Sequence, residues 1–233
     1  MSTDKHNSGS IRSFVRRRGR MTDAQKNAIR LYWPSYGLEF QQNGLELPPG
    51  FDALKLEIGI GNGDALLHMA AADRSSLYVG VEVHTPGIGH CLNQVHQLAL
   101  TNVRLVMHDA VEVLESMITP GTLDRILLFF PDPWHKKRHH KRRIVNQHFR
   151  DLVYRDLKPG ASIHMATDWH DYAESIAAQF LADARFSNEG DASGYAKCPD
   201  YRPQTRFEQR GLRLGHGVHD LVFTKKQDSS SPA

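Results

Sequence analysis

Residues Asp124–Arg143 read DRILLFFPDPWHKKRHHKRR, an apolar run followed by a proline-flanked corner and a cationic segment. The apolar run Arg125–Phe130 has the length and composition of one buried strand of a parallel sheet. The corner Pro131–Trp134 ends this strand, because proline cannot donate a hydrogen bond to a neighbouring strand. Asp132 is thereby held at the carboxyl end of the strand, where open α/β sheets bind their ligands.

The cationic segment Lys136–Arg143 contains six Lys or Arg and two His. Beside a ligand-binding sheet edge, such a segment favours the binding of a polyanion, nucleic acid above all. A solvated run of surface charge is the alternative interpretation. A second basic stretch, Ile11–Arg20, carries five arginines and is either an arm that orders on RNA or a solvated tail.

Length and composition indicate one α/β domain with short extensions. The chain has 233 residues, of which 40% are hydrophobic, and a net charge of +3. No apolar stretch approaches the roughly 18 residues of a membrane span, and the polar N-terminus lacks a secretory signal. The two cysteines, Cys91 and Cys198, favour a reducing compartment, so we expect a cytoplasmic protein. We predict a basic extension with a short helix and linker at 1–50, the main domain at 51–226 and a disordered tail at 227–233.

Strand-like and helical stretches alternate from residue 53 onward. Strands are predicted at Ala53–Ile58, Leu77–Val83, Val103–Met107, Arg125–Phe130 and Ser162–Ala166. Helices are predicted at Asp64–Ala72 and Trp169–Leu181, and from about Ile144 to Leu157, where Pro159 and Gly160 stop the helix. Two further helices are predicted with one bound each: one ends at Leu100, and a short one begins at Ala110. The alternation predicts a doubly wound, mostly parallel sheet, with Val218–Thr224 as an edge or antiparallel last strand. Upstream, a capping box at Thr22 and Gln25 begins a helix that Pro34 ends near Tyr32.

A glycine-rich turn, Gly59–Gly63, follows the first of these strands. Glycines there let the backbone pass close to a ligand, although a tight turn is the simpler interpretation. The turn lacks the G-x-G-x-x-G spacing of dinucleotide-binding proteins. Glu82, at the carboxyl end of the next predicted strand, is placed to accept ribose hydroxyls, and Asp109 to reach an adenine amino group unless it caps a helix. Acidic side chains in a site that lacks a phosphate-binding fingerprint fit S-adenosylmethionine better than NAD. Glu57 suits the amino-acid end of that cofactor.

The stretch FFPDPWHKKRHHKRR, residues 129–143, resembles the signature of the tRNA (guanine-N7)-methyltransferase family. Gly80–His84, Ala166–Asp168 and Arg202–Glu208 share the resemblance, which runs from about Phe14 to Phe223. The family implies the Rossmann-like fold of class I methyltransferases, S-adenosylmethionine as the cofactor and tRNA as the partner. It also implies methyl transfer to N7 of the guanine at position 46, in the variable loop of tRNA, which forms 7-methylguanosine.

The resemblance also implies the site residues. The acids at the adenosylmethionine site match Glu57, Glu82, Asp109 and Asp132, which join Gly59 and Gly61 of the turn. The substrate-binding positions match Lys136, Asp168, Thr205, Arg206, Phe207 and Glu208. The tRNA contacts match Arg138, His139, His140, Lys141, Arg142 and Arg143.

These residue types suit guanine recognition. Asp132 and Asp168 end neighbouring strands, where paired carboxylates can accept from guanine N1–H and the N2 amino group. Trp134 either stacks on the base or packs in the core. The stretch Thr205–Glu208 either closes over the base or caps a helix. The histidines have no zinc-like spacing with the cysteines, so we predict no metal.

Guanine N7 carries its lone pair at neutral pH, so its attack on a methyl group needs no general base. We assign catalysis to Asp132, which positions the guanine and stabilises the cationic ring as it forms. Three alternatives remain: a nucleotide-binding oxidoreductase, an RNA-binding module without activity, and a methyltransferase that acts on exocyclic amines. The last is an alternative because Pro131–Trp134 resembles the D-P-P-Y corner of those enzymes. We expect a monomer or homodimer that needs no partner protein.

Overall fold

The computed structural model describes residues 13–14, 20–42, 44–45, 47–204, 208 and 217–227. The strands are β1 (Gly37–Leu38), β2 (Ala53–Ile58), β3 (Ser76–Val81), β4 (Val103–Val106), β5 (Leu123–Phe129), β6 (Leu157–Thr167), β7 (Phe186–Asn188) and β8 (His219–Lys225). The helices are α1 (Asp23–Tyr36), α2 (Asp64–Ala72), α3 (Thr85–Gln97), α4 (Ala110–Ser116), α5 (Gln147–Asp156) and α6 (His170–Leu181), and a 3₁₀ helix covers Lys137–Arg142. The strands form one sheet in the order β1-β4-β3-β2-β5-β6-β8-β7.

Strands β1 to β6 all run parallel to one another, whereas β8 lies antiparallel to both β6 and β7. The predicted fold class, a mostly parallel doubly wound sheet with an antiparallel last strand, is therefore confirmed. The order of the strands reverses between β2 and β5, which are neighbours although β3 and β4 separate them in the chain. In open α/β sheets, a ligand crevice forms at the carboxyl ends of the strands at such a reversal.

Helices cover both faces of the sheet. On one face α4, α5 and α6 contribute buried side chains such as Phe149 and Tyr172. On the other face α1, α2 and α3 contribute buried side chains such as Leu66 and Leu92. Because both faces are covered, the central strands are apolar on both sides, as the run at Arg125–Phe130 predicts.

The start of α1 is as predicted but its end is not. The Thr22 hydroxyl accepts from the Gln25 N–H at 3.3 Å, and the Gln25 side chain accepts from the Thr22 N–H at 2.9 Å, which confirms the capping box. The predicted stop at Pro34 is wrong, because this proline lies inside the last turn. There it removes a single backbone hydrogen bond, and Gly37 closes the helix by donating its N–H to the Trp33 carbonyl.

Pro159 and Gly160 lie within β6, contrary to the prediction that they separate a helix from a strand. They are tolerated because the register of β6 against β5 shifts between residues 157 and 162, which leaves the intervening residues unpaired with β5. Pairing resumes at Ser162, the predicted start of the strand. The preceding helix, α5, begins later than predicted because Asn146 caps it by accepting from the Phe149 N–H at 3.0 Å.

Strand β8 is not an edge strand, because β7 pairs with its outer side. β7 and β1 have three and two residues, too few for a periodic pattern to reveal them. β1 and α1 come from the proposed extension yet pack against the main sheet and α3; the domain boundaries stay a prediction.

The basic arm, except Ser13, Phe14 and Arg20, and the predicted tail from residue 228 onward lie outside the described residues. Among the described helices, none has the length and apolar character needed to cross a membrane.

Candidate active site

A cavity of about 250 Å³ opens at the carboxyl edge of the sheet, where the strand order reverses. Its lining includes Gly59 after β2, Glu82 after β3 and Asp132 after β5. The sequence predicts a cofactor role for each of these three residues from a different motif, and the structure places all three at one cavity. Their positions agree with the general placement of ligands in open α/β sheets.

Glu82 connects the two turns that border this cavity. One of its carboxylate oxygens accepts from the Gly61 N–H at 2.9 Å, and the other accepts from the Val83 and His84 N–H groups at 2.7 and 2.9 Å. A carboxylate offers about four acceptor positions, so these three bonds leave room for a ligand hydroxyl. The ribose contact of Glu82 stays a prediction that this geometry permits.

Two glycines of the turn have different functions. Gly59 has φ +73°, and a side chain there would extend into open space, so the bare backbone leaves room for a ligand. Gly63 has φ +87°, and a Cβ there would lie 2.4 Å from the Cys91 sulfur. Gly63 is therefore needed for the packing of α2 against α3, whereas Gly59 leaves the cavity open.

Glu57 is a buried acid behind the cavity. It is 3% exposed, and its Oε2 atom has no hydrogen-bond partner within the described part of the chain. Burial in this apolar setting raises the pKa of Glu57 to about 8. Glu57 precedes Ile58, which lines the cavity, although Glu57 itself does not. A cationic amino group from a ligand would supply the partner that the carboxylate lacks.

Asp109 takes the capping role, which is the alternative to adenine binding at this position. Its Oδ1 accepts from the Val111 N–H at 2.8 Å at the start of α4, and partial burial raises its pKa. The flanking residues His108 and Ala110 line the cavity, and the His108 ring stacks on Phe40 with centroids 3.8 Å apart. A contact between Asp109 and adenine stays a prediction.

The Pro131–Trp134 corner is held in a strained backbone conformation. Phe130, just before the corner, and Trp134, its last residue, have φ +51° and +46°, in the left-handed region that bulky residues rarely adopt. Such residues cost roughly 1–3 kcal/mol each and cluster at functional sites. The Phe130 N–H donates to the Ala166 carbonyl of β6 at 2.7 Å, which anchors the corner to the next strand. Asp132, at the centre of the corner, is exposed and lines the cavity.

Arg143 belongs to the cationic segment by sequence but is buried, with 6% exposure. Its Nε donates to the Pro133 carbonyl at 2.9 Å, its Nη2 donates to the Asp171 carboxylate of α6, and its guanidinium lies 4.7 Å from the Tyr172 ring centroid. The hydrogen bond from Arg143 lowers the pKa of Asp171. This placement argues against the predicted tRNA contact of Arg143, because its guanidinium is engaged inside the protein.

The rest of the cationic segment is more open. Lys136, Lys137, Arg138 and Lys141 are exposed, and His139, His140 and Arg142 are half-buried. The Arg142 guanidinium lies 5.0 Å from the Trp134 ring centroid, and His139 packs edge-on against the same ring at 5.9 Å. The Trp134 Nε1 donates to the Ser13 carbonyl at 3.1 Å. Trp134 is therefore engaged on its ring and at its nitrogen, which favours the packing role for it.

Asp168 and Asp132 follow neighbouring parallel strands at the same sheet edge. β5 and β6 pair in register near their ends, with Phe129 opposite Ala166. Asp132 comes three residues after Phe129, and Asp168 two residues after Ala166. The strand pairing thus puts both candidate guanine ligands beyond the carboxyl ends of adjacent strands.

Within Thr205–Glu208, only Glu208 belongs to the described residues; the predicted roles of Thr205, Arg206 and Phe207 concern residues outside them. Glu208 is buried and accepts from both Nη atoms of Arg202, at 2.6 and 3.0 Å. Arg202 also contacts the Asp220 carboxylate at 2.6 Å. The Glu208 carboxylate is therefore part of a buried ion pair, and its contact with guanine stays a prediction.

Ser13 and Phe14 line the cavity, although no sequence motif predicts a site role for them. In the sequence, the apolar Phe14 stands out among arginines, but this pattern does not distinguish a residue of a site from a residue of a solvated tail. In the described ranges, no group of three or more His, Cys, Asp or Glu is arranged to hold a metal ion.

The parallel sheet and the cavity at its strand reversal define a Rossmann-like α/β protein with a candidate ligand site at the carboxyl edge of the sheet, and the comparison with known families makes it a methyltransferase. Residues 52–221 match the model of a family described as a putative methyltransferase. An rRNA methylase from Streptococcus thermophilus shares the fold with a TM-score of 0.52 and 11% identity, over 76% of this chain and 88% of that one. A SAM-dependent O-methyltransferase from Thermotoga maritima does so with a TM-score of 0.51 and 13% identity, over 90% of this chain and 66% of that one.

Closer relatives identify the family: the chain belongs to the tRNA (guanine-N(7)-)-methyltransferases. The member from Yersinia pseudotuberculosis is 49% identical over 220 residues, which cover 93% of this chain and 92% of that protein. The member from Cronobacter sakazakii is 50% identical over 216 residues, which cover 91% and 90%. The predicted family is confirmed, and a methyltransferase is favoured over the oxidoreductase and the inactive RNA-binding module.

The methyltransferase family indicates S-adenosylmethionine as the methyl donor, and residues at the cavity and behind it suit this cofactor. Gly59 leaves open space and Glu82 retains acceptor capacity for a ribose hydroxyl, while Glu57 lies behind the cavity lining with an unpaired buried oxygen that suits a cationic amino group. We therefore expect these three residues to hold the cofactor.

The buried Glu57 predicts an unusual pH dependence of stability. Its pKa rises from 4.5 unfolded to about 8 folded, so the folded protein keeps a proton that the unfolded chain releases as the pH rises through this window. Wild-type stability should therefore fall between about pH 4.5 and 8 relative to Glu57→Gln. By pH 7 the difference in free energy of unfolding should be on the order of 3 kcal/mol.

Urea unfolding without cofactor, at several pH values from 5 to 8, measures this difference. Glu174→Gln, at an exposed site on α6, is the control and should show no comparable trend. A constant difference between wild type and Glu57→Gln would contradict a raised pKa.

The burial of Arg143 predicts that two arginines of the cationic segment contribute differently to the stability of the fold. Arg143→Ala removes charged hydrogen bonds from a buried position and should lower the free energy of unfolding by about 2–4 kcal/mol. Arg138→Ala, at an exposed position of the same segment, should change it little. Urea titration of both variants checks this, and equal effects would show that Arg143 does not hold the corner.

Proposed function

We propose that the protein transfers the methyl group of S-adenosylmethionine to N7 of the guanine at position 46 of tRNA, forming 7-methylguanosine. Relatives that are 49% and 50% identical over nearly the whole chain are named tRNA (guanine-N(7)-)-methyltransferases. The observation that carries the proposal is the cavity that joins Glu82 with Asp132, next to an exposed cationic segment. Position 46 rests on the family resemblance of the motifs.

When bound, S-adenosylmethionine supplies an electrophilic methyl group on a sulfonium sulfur. Guanine N7 already carries a lone pair at neutral pH, so the chain does not have to supply a general base. Its residues have to orient N7 in line with the methyl group and stabilise the positive charge that develops on the purine.

Asp132 suits both tasks. Its carboxylate lies at the cavity, on a corner whose backbone is fixed by a contact to β6 and by the Arg143 side chain. A negative charge fixed before the reaction stabilises a developing cation without reorganisation. Asp168, beyond the neighbouring strand end, is the second candidate acceptor for guanine N1–H and the N2 amino group.

The exposed part of the cationic segment suits the tRNA backbone. Arg138 and Lys141 are exposed next to the corner, where they can neutralise phosphates, and Lys136, the predicted substrate-binding residue, is exposed beside them. Such contacts bring any RNA to the edge of the sheet and leave the choice of base to the cavity. We expect this reaction to take place in the cytoplasm, in a monomer or homodimer that needs no partner protein.

Nucleoside analysis tests the proposed function. The protein is incubated with S-adenosylmethionine and an unmodified tRNA transcript, which is digested and analysed by mass spectrometry and by aniline cleavage at 7-methylguanosine. We expect 7-methylguanosine at position 46 and none in a transcript with adenine there. Methylation of an exocyclic amine instead would support the alternative based on the D-P-P-Y corner.

The cationic segment predicts a salt effect. Arg138→Ala combined with Lys141→Ala should weaken the binding of all tRNAs to a similar degree. The slope of log K against log salt should flatten by about 0.7–0.9 for each phosphate that the variant no longer neutralises. Lys226→Ala, beyond the opposite end of β8, is the control and should leave the slope unchanged. Filter binding at a series of salt concentrations measures the slope, and an unchanged slope in the double variant would remove this segment from the RNA interface.

A further inference from the structure

Trp169 is a large aromatic side chain that the fold leaves open to solvent. It is 39% exposed and directly follows Asp168 beyond the end of β6. The other exposed large hydrophobic residues of the described segments are Leu31, Leu98, Met107 and Leu181, none of which is aromatic. Core packing does not explain an exposed tryptophan next to Asp168, a residue predicted to bind the substrate.

Helix capping does not account for a tryptophan at this position. Trp169 is the N-cap of α6, and its side chain makes no capping hydrogen bond. The N-caps Thr22, Asp109 and Asn146 of α1, α4 and α5 each accept a backbone N–H, whereas the N-caps of α2 and α3, like Trp169, make no such bond. Trp169 therefore supplies no cap to α6, and a large part of its surface stays open to solvent.

Trp169 lies at the edge of the sheet that carries the cavity. The residue two positions before it, Thr167, pairs with His219 at the start of β8. The Trp169 ring lies 6.2 Å from the ring of His135, which follows the Pro131–Trp134 corner. The ring of His170, the next residue, lies 5.1 Å from that of His219. Aromatic rings therefore continue from the corner across the ends of β6 and β8.

Trp134, the stacking candidate predicted from the sequence, is differently situated. Arg142 lies over its ring, and its nitrogen is hydrogen-bonded to the Ser13 carbonyl. Trp169 has a greater part of its surface open, and the ring contact it makes within the described segments is the tilted one to His135. Between the two tryptophans, Trp169 is the one whose ring is available to a ligand.

We propose that Trp169 is a stacking platform for an unpaired nucleobase of the RNA substrate, beside the guanine that is methylated. The inference rests on the proposed function and adds a positioning residue to it. Proteins recognise RNA through unstacked bases that pack on aromatic side chains. The exposed cationic segment would hold the backbone while Trp169 fixes one base, so that the neighbouring guanine enters the cavity in one orientation.

Three variants test this proposal. Trp169→Leu keeps an apolar side chain but removes the stacking surface, and Trp169→Phe keeps an aromatic ring. Leu181→Ala is the control, because Leu181 is an exposed apolar residue at the far end of the same helix. Binding of tRNA is measured at several salt concentrations with S-adenosylhomocysteine present, and cofactor affinity is measured by calorimetry.

Trp169→Leu should weaken tRNA binding by about 5- to 150-fold, the effect of removing one base stack. The slope of log K against log salt should not change, because a tryptophan displaces no counterions. Trp169→Phe should recover most of the affinity, and Leu181→Ala should behave as wild type. Cofactor affinity should be the same in all four proteins.

Wild-type affinity in Trp169→Leu, or equal losses in the Leu and Phe variants, would overturn the proposal. If Trp169→Leu folds poorly, tryptophan fluorescence decides: tRNA should quench the wild type more than Trp169→Phe, and equal quenching would again overturn it. A wild-type protein that forms no 7-methylguanosine would overturn the proposed function, whereas the binding measurements would still report on the stacking.

Discussion

The buried guanidinium of Arg143 is the constraint on which the site geometry depends. It joins the Pro133 carbonyl to the Asp171 carboxylate and packs on Tyr172. The strained backbone on either side of Asp132 needs such an external restraint, because left-handed conformations persist only where surrounding contacts impose them. One buried arginine of a segment whose lysines and Arg138 are exposed thus fixes the corner that carries the candidate catalytic carboxylate.

The reversal of strand order explains why the cofactor and substrate residues meet. β2 and β5 are neighbours in the sheet, so the glycine-rich turn after β2 and the corner after β5 border the same crevice. Glu82 closes the third side by holding the turns after β2 and β3 together. Three of the loops that line the cavity are therefore held by hydrogen bonds before a ligand arrives, which suits a reaction that depends on alignment and electrostatics.

Most of this fold could be predicted from local pattern, because buried parallel strands and amphipathic helices leave strong periodic signals. The helix Asp64–Ala72 has its predicted bounds, and Asp132 lies at the strand end where the prolines put it. What could not be predicted depends on partners distant in sequence. Arg143 is indistinguishable from its exposed neighbours until Asp171 approaches it from α6, and Pro159 becomes acceptable in a strand only through a shift in register with β5.

The central claim is that the charge of Asp132, held in place by the corner, stabilises the transition state of methyl transfer. Single-turnover methylation of tRNA by Asp132→Asn, with both substrates saturating, tests it most directly, because the amide keeps the shape and removes the charge. The account predicts a rate lower by on the order of 10²–10⁴, with tRNA affinity little changed. A rate close to that of the wild type would contradict it and would leave Asp132 as a residue that only shapes the turn.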